Sequence, residues 1–109
     1  MFVEEKKLGE VPVRELEPWQ EVCLAAARTL ETLGWCQGTR KDRHGRMCAE
    51  AALFRDGLPG LPGRQIAEAR AVAFDRIVRR LRDSIPRWND TPGRTKEEVI
   101  ALLRDVAGE

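Results

Sequence analysis

Between Pro18 and Leu33 the apolar residues Trp19, Val22, Cys23, Ala26, Leu30 and Leu33 recur at steps of three and four. That spacing gathers them on one stripe of a helix and would scatter them over both faces of a strand. It predicts an amphipathic helix over 18–33. Pro18 suits the first helical position, where a missing N–H costs nothing, and Gly34 follows the last apolar residue as a stop. Leu24 falls on the otherwise polar side, where exposure would favour a protein partner or self-association.

The same period returns downstream. Ile66, Ala73, Phe74, Ile77, Val78 and Leu81 predict a long helix over 65–84, with Arg64, Arg76, Arg79, Arg80 and Arg82 outside the apolar arc. Arg70 breaks the pattern, because at 100° per residue it projects into the middle of that arc. A short helix is expected over 47–55, with Met47, Ala51 and Phe54 on one face. Between these helices the doubled Leu-Pro-Gly unit of residues 57–63 demands a turn or loop. Residues 85–93 read as an ordered connection, since Pro86 and Pro92 fix φ and Asn89-Asp90 can bond back to nearby backbone. The last helix has a clear start: Thr95 followed three residues later by Glu98 is a capping box, ahead of apolar Val99, Leu102, Leu103 and Val106.

These elements sum to an all-α fold, a small bundle of about four helices spanning 18–109 as a single domain. Residues 1–17 carry Glu4, Glu5, Glu10, Glu15 and Glu17 with little apolar period, and read as an extended acidic N-terminal arm. A chain of 109 residues, 42% hydrophobic and 34% charged, fits one soluble domain. No apolar run approaches the roughly 20 residues of a membrane span, and the first residues lack the order of a secretory signal. The expected location is therefore the cytoplasm, with no membrane partner.

Nineteen basic residues against eighteen acidic ones give a net charge of +1, so no global field drives the chain onto nucleic acid. Local fields exist. Helix and connection 64–87 hold seven arginines (Arg64, Arg70, Arg76, Arg79, Arg80, Arg82, Arg87) against three acids, and loop 39–46 adds Arg40, Lys41, Arg43 and Arg46 against Asp42. A nucleic-acid binder acting through these two segments is the first alternative function. Cys23, Cys36 and Cys48 are odd in number and include no C-x-x-C pair, so reduced thiols are expected, and neither a metal nor a cofactor is. Cys36, His44 and Cys48 cluster in sequence, which makes a cysteine-dependent enzyme the second alternative, with His44 assisting Cys48. No orienting residue or oxyanion donor accompanies them.

Three segments, Gly34–Gly38 (GWCQG), Met47–Leu53 (MCAEAAL) and Trp88–Leu103 (WNDTPGRTKEEVIALL), together resemble a family of small bacterial and phage proteins of unknown function. The resemblance runs over roughly 18–106 through the patterns W-x-Q-G, C-x-x-G-A-L and W-N-D-x-x-x-R-T-x-x-E-V. Ala51 stands where the pattern has glycine. The resemblance implies a compact helical domain and carries no established activity. It also suggests a phage-type modulator of a host or defence component.

Trp35 and Trp88 each introduce a polar stretch after a helix, followed by Gln37 and Gly38 in one case and by Asn89 and Asp90 in the other. If the two stretches meet, an inward Arg70, or Arg94, could pair with Asp90. These eight residues form either a polar staple pinning loops to the bundle or a pocket for a ligand or partner. With packing signals clear and no catalytic set assembled, the expected function is a small non-enzymatic interaction module with a protein partner.

Overall fold

The computed structural model describes residues 16–55 and 61–109. The expected arm lies almost wholly outside the described residues, as does most of the Leu-Pro-Gly loop. Five helices follow in order: α1 (Pro18–Leu33), α2 (Ala49–Phe54), α3 (Gly63–Leu81), α4 (Ile85–Asn89) and α5 (Lys96–Ala107). The fold is all-α.

Helix α1 is the hub and packs against α5, α3 and α2. Its apolar stripe lies in the core as the spacing requires, with Cys23, Ala26 and Leu30 fully buried. Leu33, the last residue of the stripe, is exposed at the helix end. Leu24 is corrected: it is half-buried and leans on the core, because α1 has neighbours on three sides. Helix α5 closes the bundle with Val99, Leu103 and Val106, all fully buried, and begins with the expected reciprocal cap. Thr95 Oγ1 accepts from Glu98 N–H at 3.2 Å, and Glu98 Oε1 accepts from Thr95 N–H at 2.9 Å. At the other end Gln20 of α1 donates to the Ala107 carbonyl (2.8 Å), satisfying one of the acceptors a helix C-terminus leaves open.

Two expectations are corrected in the middle of the chain. Residues 85–89, expected as a connection, form α4: Ser84 Oγ accepts from Arg87 N–H at 3.2 Å, and Pro86 sits in the first turn where no N–H is needed. The long helix stops at Leu81 because Arg82 turns left-handed (φ 55°), which sets the chain up for Ser84 to cap α4.

The buried stripe of α3 is Ala69, Ala73 and Ile77. Projected at 100° per residue, its centre lies roughly 60° from the centre of the arc read from the large apolar residues. Of the large apolar residues only Ile77 is fully buried; the rest of the face toward the core is small, Ala69 and Ala73. Three consequences follow. Arg70 moves from the centre of the apolar face to its edge, Phe74 becomes half-buried, and Val78 is left 37% exposed. Phe54 at the end of α2, expected on the buried face with Met47, is 45% exposed.

Candidate functional site

The irregular segment 34–48, and the end of α4 with the irregular residues 90–94 that follow it, carry most of the residues singled out in the sequence. The first is folded on itself by short-range backbone bonds: Met47 N–H to Gly34 O (3.1 Å), Cys36 N–H to Met47 O (3.0 Å) and Cys48 N–H to Arg40 O (3.0 Å). Gly34 has φ 97°, and a Cβ there would lie 2.7 Å from Arg46 Cγ. At the tip, Asp42 Oδ1 accepts from the N–H groups of His44 and Arg46 (both 2.9 Å), and its Oδ2 from Arg46 Nε (2.6 Å).

The two segments meet at Asn89, which has no solvent-accessible surface. A carboxamide has two acceptor and two donor positions, and a buried one is costly unless they are filled. All four are filled here. Oδ1 accepts from Trp35 Nε1 (2.7 Å) and from Ala49 N–H (3.0 Å); Nδ2 donates to the Cys36 carbonyl (3.1 Å) and to Asp90 Oδ1 (2.9 Å). The Ala49 N–H is one of the donors a helix start leaves free, so the same side chain caps α2. A second α2 donor, Ala51 N–H, points to Cys48 Sγ at 3.4 Å.

Around Asn89 the bonds continue outward. Gln37 Nε2 donates to the carbonyls of Asn89 and Thr91, each at 3.0 Å. Gly38 N–H donates to Asp90 Oδ1 at 3.0 Å from a backbone with φ 82°, a conformation that favours glycine. That N–H, seconded by the Asn89 carboxamide, holds the Asp90 carboxyl below the ordinary carboxylate range. Arg94 sits beside this network: its Nε donates to the Trp88 carbonyl (3.0 Å) and its guanidinium carbon lies 4.0 Å from the centre of the Trp88 ring.

Seven of the eight candidates, Trp35, Gln37, Gly38, Trp88, Asn89, Asp90 and Arg94, are therefore brought together. Arg70 is not among them. It donates from Nη2 to the Arg55 carbonyl (2.7 Å), and its guanidinium lies 5.9 Å from the centre of the Phe54 ring. The expected guanidinium–carboxylate pair with Asp90 is replaced by an amide and a backbone N–H, because the rotation of α3 turns Arg70 elsewhere and Arg94 is taken up by Trp88 and Glu98.

The sulfur atoms are placed less favourably for chemistry. All three cysteines are free thiols and buried. Burial, with a smaller contribution from Glu109, pushes the Cys23 thiol up to about 12; burial likewise raises Cys36, whose Sγ faces the Arg46 carbonyl at 3.3 Å and that of Thr39 at 3.6 Å. His44 is exposed on the loop tip. Among the described residues no group of three or more His, Cys, Asp or Glu side chains converges to hold a metal.

Five of the ten arginines in the two basic segments meet carboxylates of the chain itself among the described residues. Arg40 pairs with Glu50 (2.7 Å), Arg46 with Asp42, Arg79 with Asp75 (2.9 Å), Arg87 with Asp83 (3.6 Å), and Arg80 with Asp105 and Glu109. Arg76 lies over the Trp19 ring at 4.1 Å. This local compensation works against a phosphate-tracking surface on 64–87 and 39–46.

A feature absent from the sequence reading lies on α2 and α3. Phe54 and Phe74 form an aromatic pair with ring centres 5.0 Å apart and planes at 42°, and the guanidinium groups of Arg40 and Arg70 each stand 5.9 Å from the Phe54 ring centre. The available signal was Arg70 itself: a charge inside an apolar arc marks an arc drawn about the wrong centre. Two open surface cavities border α3, of about 740 Å³ beside Val72, Arg76 and Glu109 and of about 370 Å³ beside Trp19, Gln65 and Val72. None of the eight candidates lines either. No helix among the described residues is long and apolar enough to cross a membrane.

The model of a family of unknown function, DUF6197, matches residues 15–109, and the chain belongs to that family. No curated protein and no solved structure matches the chain.

Proposed function

We propose that this member of the DUF6197 family is a small non-enzymatic protein-binding module whose contact surface is the Phe54–Phe74 pair on α2 and α3. The observation that carries this reading is an aromatic side chain 45% exposed, backed by a second ring and attended by two guanidinium groups. Aromatic and arginine side chains are the types most enriched in the energetic centres of protein interfaces. Val78, one helical turn beyond Phe74, extends the apolar strip. The tryptophan and asparagine cluster supports the same reading by contrast, since its central Asn89 carboxamide is spent wholly within the chain. A phage-borne modulator acting on a host or defence protein, in the cytoplasm, is the finer form of the proposal and rests on the family resemblance.

The test is a photo-crosslinking residue in place of Phe54, with the same residue in place of the exposed Arg28 as control. The expected result in cells is a discrete protein adduct from position 54 that is missing from position 28. Adducts of the same pattern from both positions, or none from 54, would contradict the proposal.

A further inference from the structure

We infer that the Phe54–Phe74 surface takes an acidic segment of its partner, seating an apolar side chain on the Phe54 ring with carboxylates reaching Arg40 and Arg70. The inference rests on the protein-binding reading and adds the chemistry of the ligand. Its basis is charge complementarity. Arg40 and Arg70 stand beside the exposed ring, and among the described residues the acid paired with them is Glu50, which meets Arg40 alone. A guanidinium has five N–H donors. Arg70 spends one on the Arg55 carbonyl and Arg40 one on Glu50, which fixes both groups near the ring while leaving further donors for an incoming anion. Fixing them in advance lowers the ordering cost of binding, and carboxylates suit the fork of a guanidinium.

A second copy of the chain is a poor occupant, because a two-fold contact would set these arginines against their own counterparts. A nucleic acid could stack a base on Phe54. The apolar strip, however, continues through aliphatic Val78, which offers no stacking face.

The experiment is selection of a displayed library of random short peptides on the full chain, followed by titration of the enriched peptides and of a short oligothymidine. Enriched peptides are expected to carry a Leu, Ile or Phe flanked by Asp or Glu, to lose binding to Phe54→Ser, and to bind Arg70→Gln at least about tenfold more weakly. Thermal melts of both variants check folding, and Arg70→Gln retains both aromatic rings. Enrichment of basic or uncharged peptides, no enrichment, equal binding to Phe54→Ser, or tighter Phe54-dependent binding of oligothymidine would each overturn the inference. The two claims fail separately: a position-54 adduct in cells together with non-acidic peptides leaves the binding module standing and removes the acidic ligand.

Discussion

Two polar–aromatic clusters of this chain use similar residue types to opposite ends. At Asn89 a tryptophan and an asparagine are turned inward with an exposed aspartate at the rim, and the central carboxamide, fully buried, has all four hydrogen-bonding positions occupied by the chain itself. At Phe54 an aromatic ring and two arginines are turned outward, with guanidinium donors left over. The difference teaches that a motif dense in polar and aromatic residues can offer hydrogen bonds to another molecule only where its donors and acceptors remain unspent. The motif residues Trp35, Gln37, Gly38, Asn89 and Asp90 are consumed in joining three segments: the loop after α1, the start of α2 and the end of α4.

Substitutions can break this contrast in a graded series. Asn89→Asp removes both Nδ2 donors and sets a carboxylate against the Cys36 carbonyl and Asp90, so a loss of about 3 kcal/mol or more is expected in urea unfolding. Wild-type stability in that variant would mean that Asn89 is solvated. Trp35→Phe keeps the ring and deletes one donor to Asn89 Oδ1, and should cost about 1–2 kcal/mol by the same assay.

Phe54→Ser is expected to change stability by no more than about 1 kcal/mol while abolishing binding of the selected peptides, which separates surface from scaffold. A collapse of the fold in that variant would erase the distinction between the two clusters.

The smallest effect concerns Asp90. Its carboxyl titrates below the ordinary range in the folded chain, so its stabilising contribution is present above the unfolded value near pH 4 and is lost as the pH falls through the folded value. The group is largely exposed, so screening limits the contribution to less than about 1 kcal/mol. The difference in melting temperature between wild type and Asp90→Asn should be present at neutral pH and close on acidification. A difference independent of pH would assign the effect to something other than the charge.

Much of the frame was legible from local signals. Both ends of α1 follow from Pro18, Gly34 and the apolar stripe, and the start of α5 follows from Thr95 and Glu98, because caps and periodicity act within a few residues. Helix α4 was hidden because Pro86 reads as a breaker until Ser84 is recognised as the residue that starts a helix ahead of it. The tilt of α3 about its axis was also hidden. The large apolar residues suggest one face, whereas the core takes Ala69, Ala73 and Ile77 and leaves Phe74 and Val78 to the side, a choice made by neighbouring helices that no window of the sequence contains. That one rotation moved Arg70 away from Asp90 and brought it beside Phe54. The meeting of the two loops was readable from paired tryptophan and amide positions; the residue at its centre, Asn89, could be singled out only once its four partners were in place.

The central claim, that one fully engaged carboxamide holds the loops and leaves recognition to the aromatic surface, is tested most directly by hydrogen exchange of the Asn89 side-chain NH₂ followed by NMR. Engagement with the Cys36 carbonyl and Asp90 predicts an exchange rate as slow as that of the core amides of α1 and α5. Exchange as fast as that of an exposed amide would show that the staple does not exist in solution.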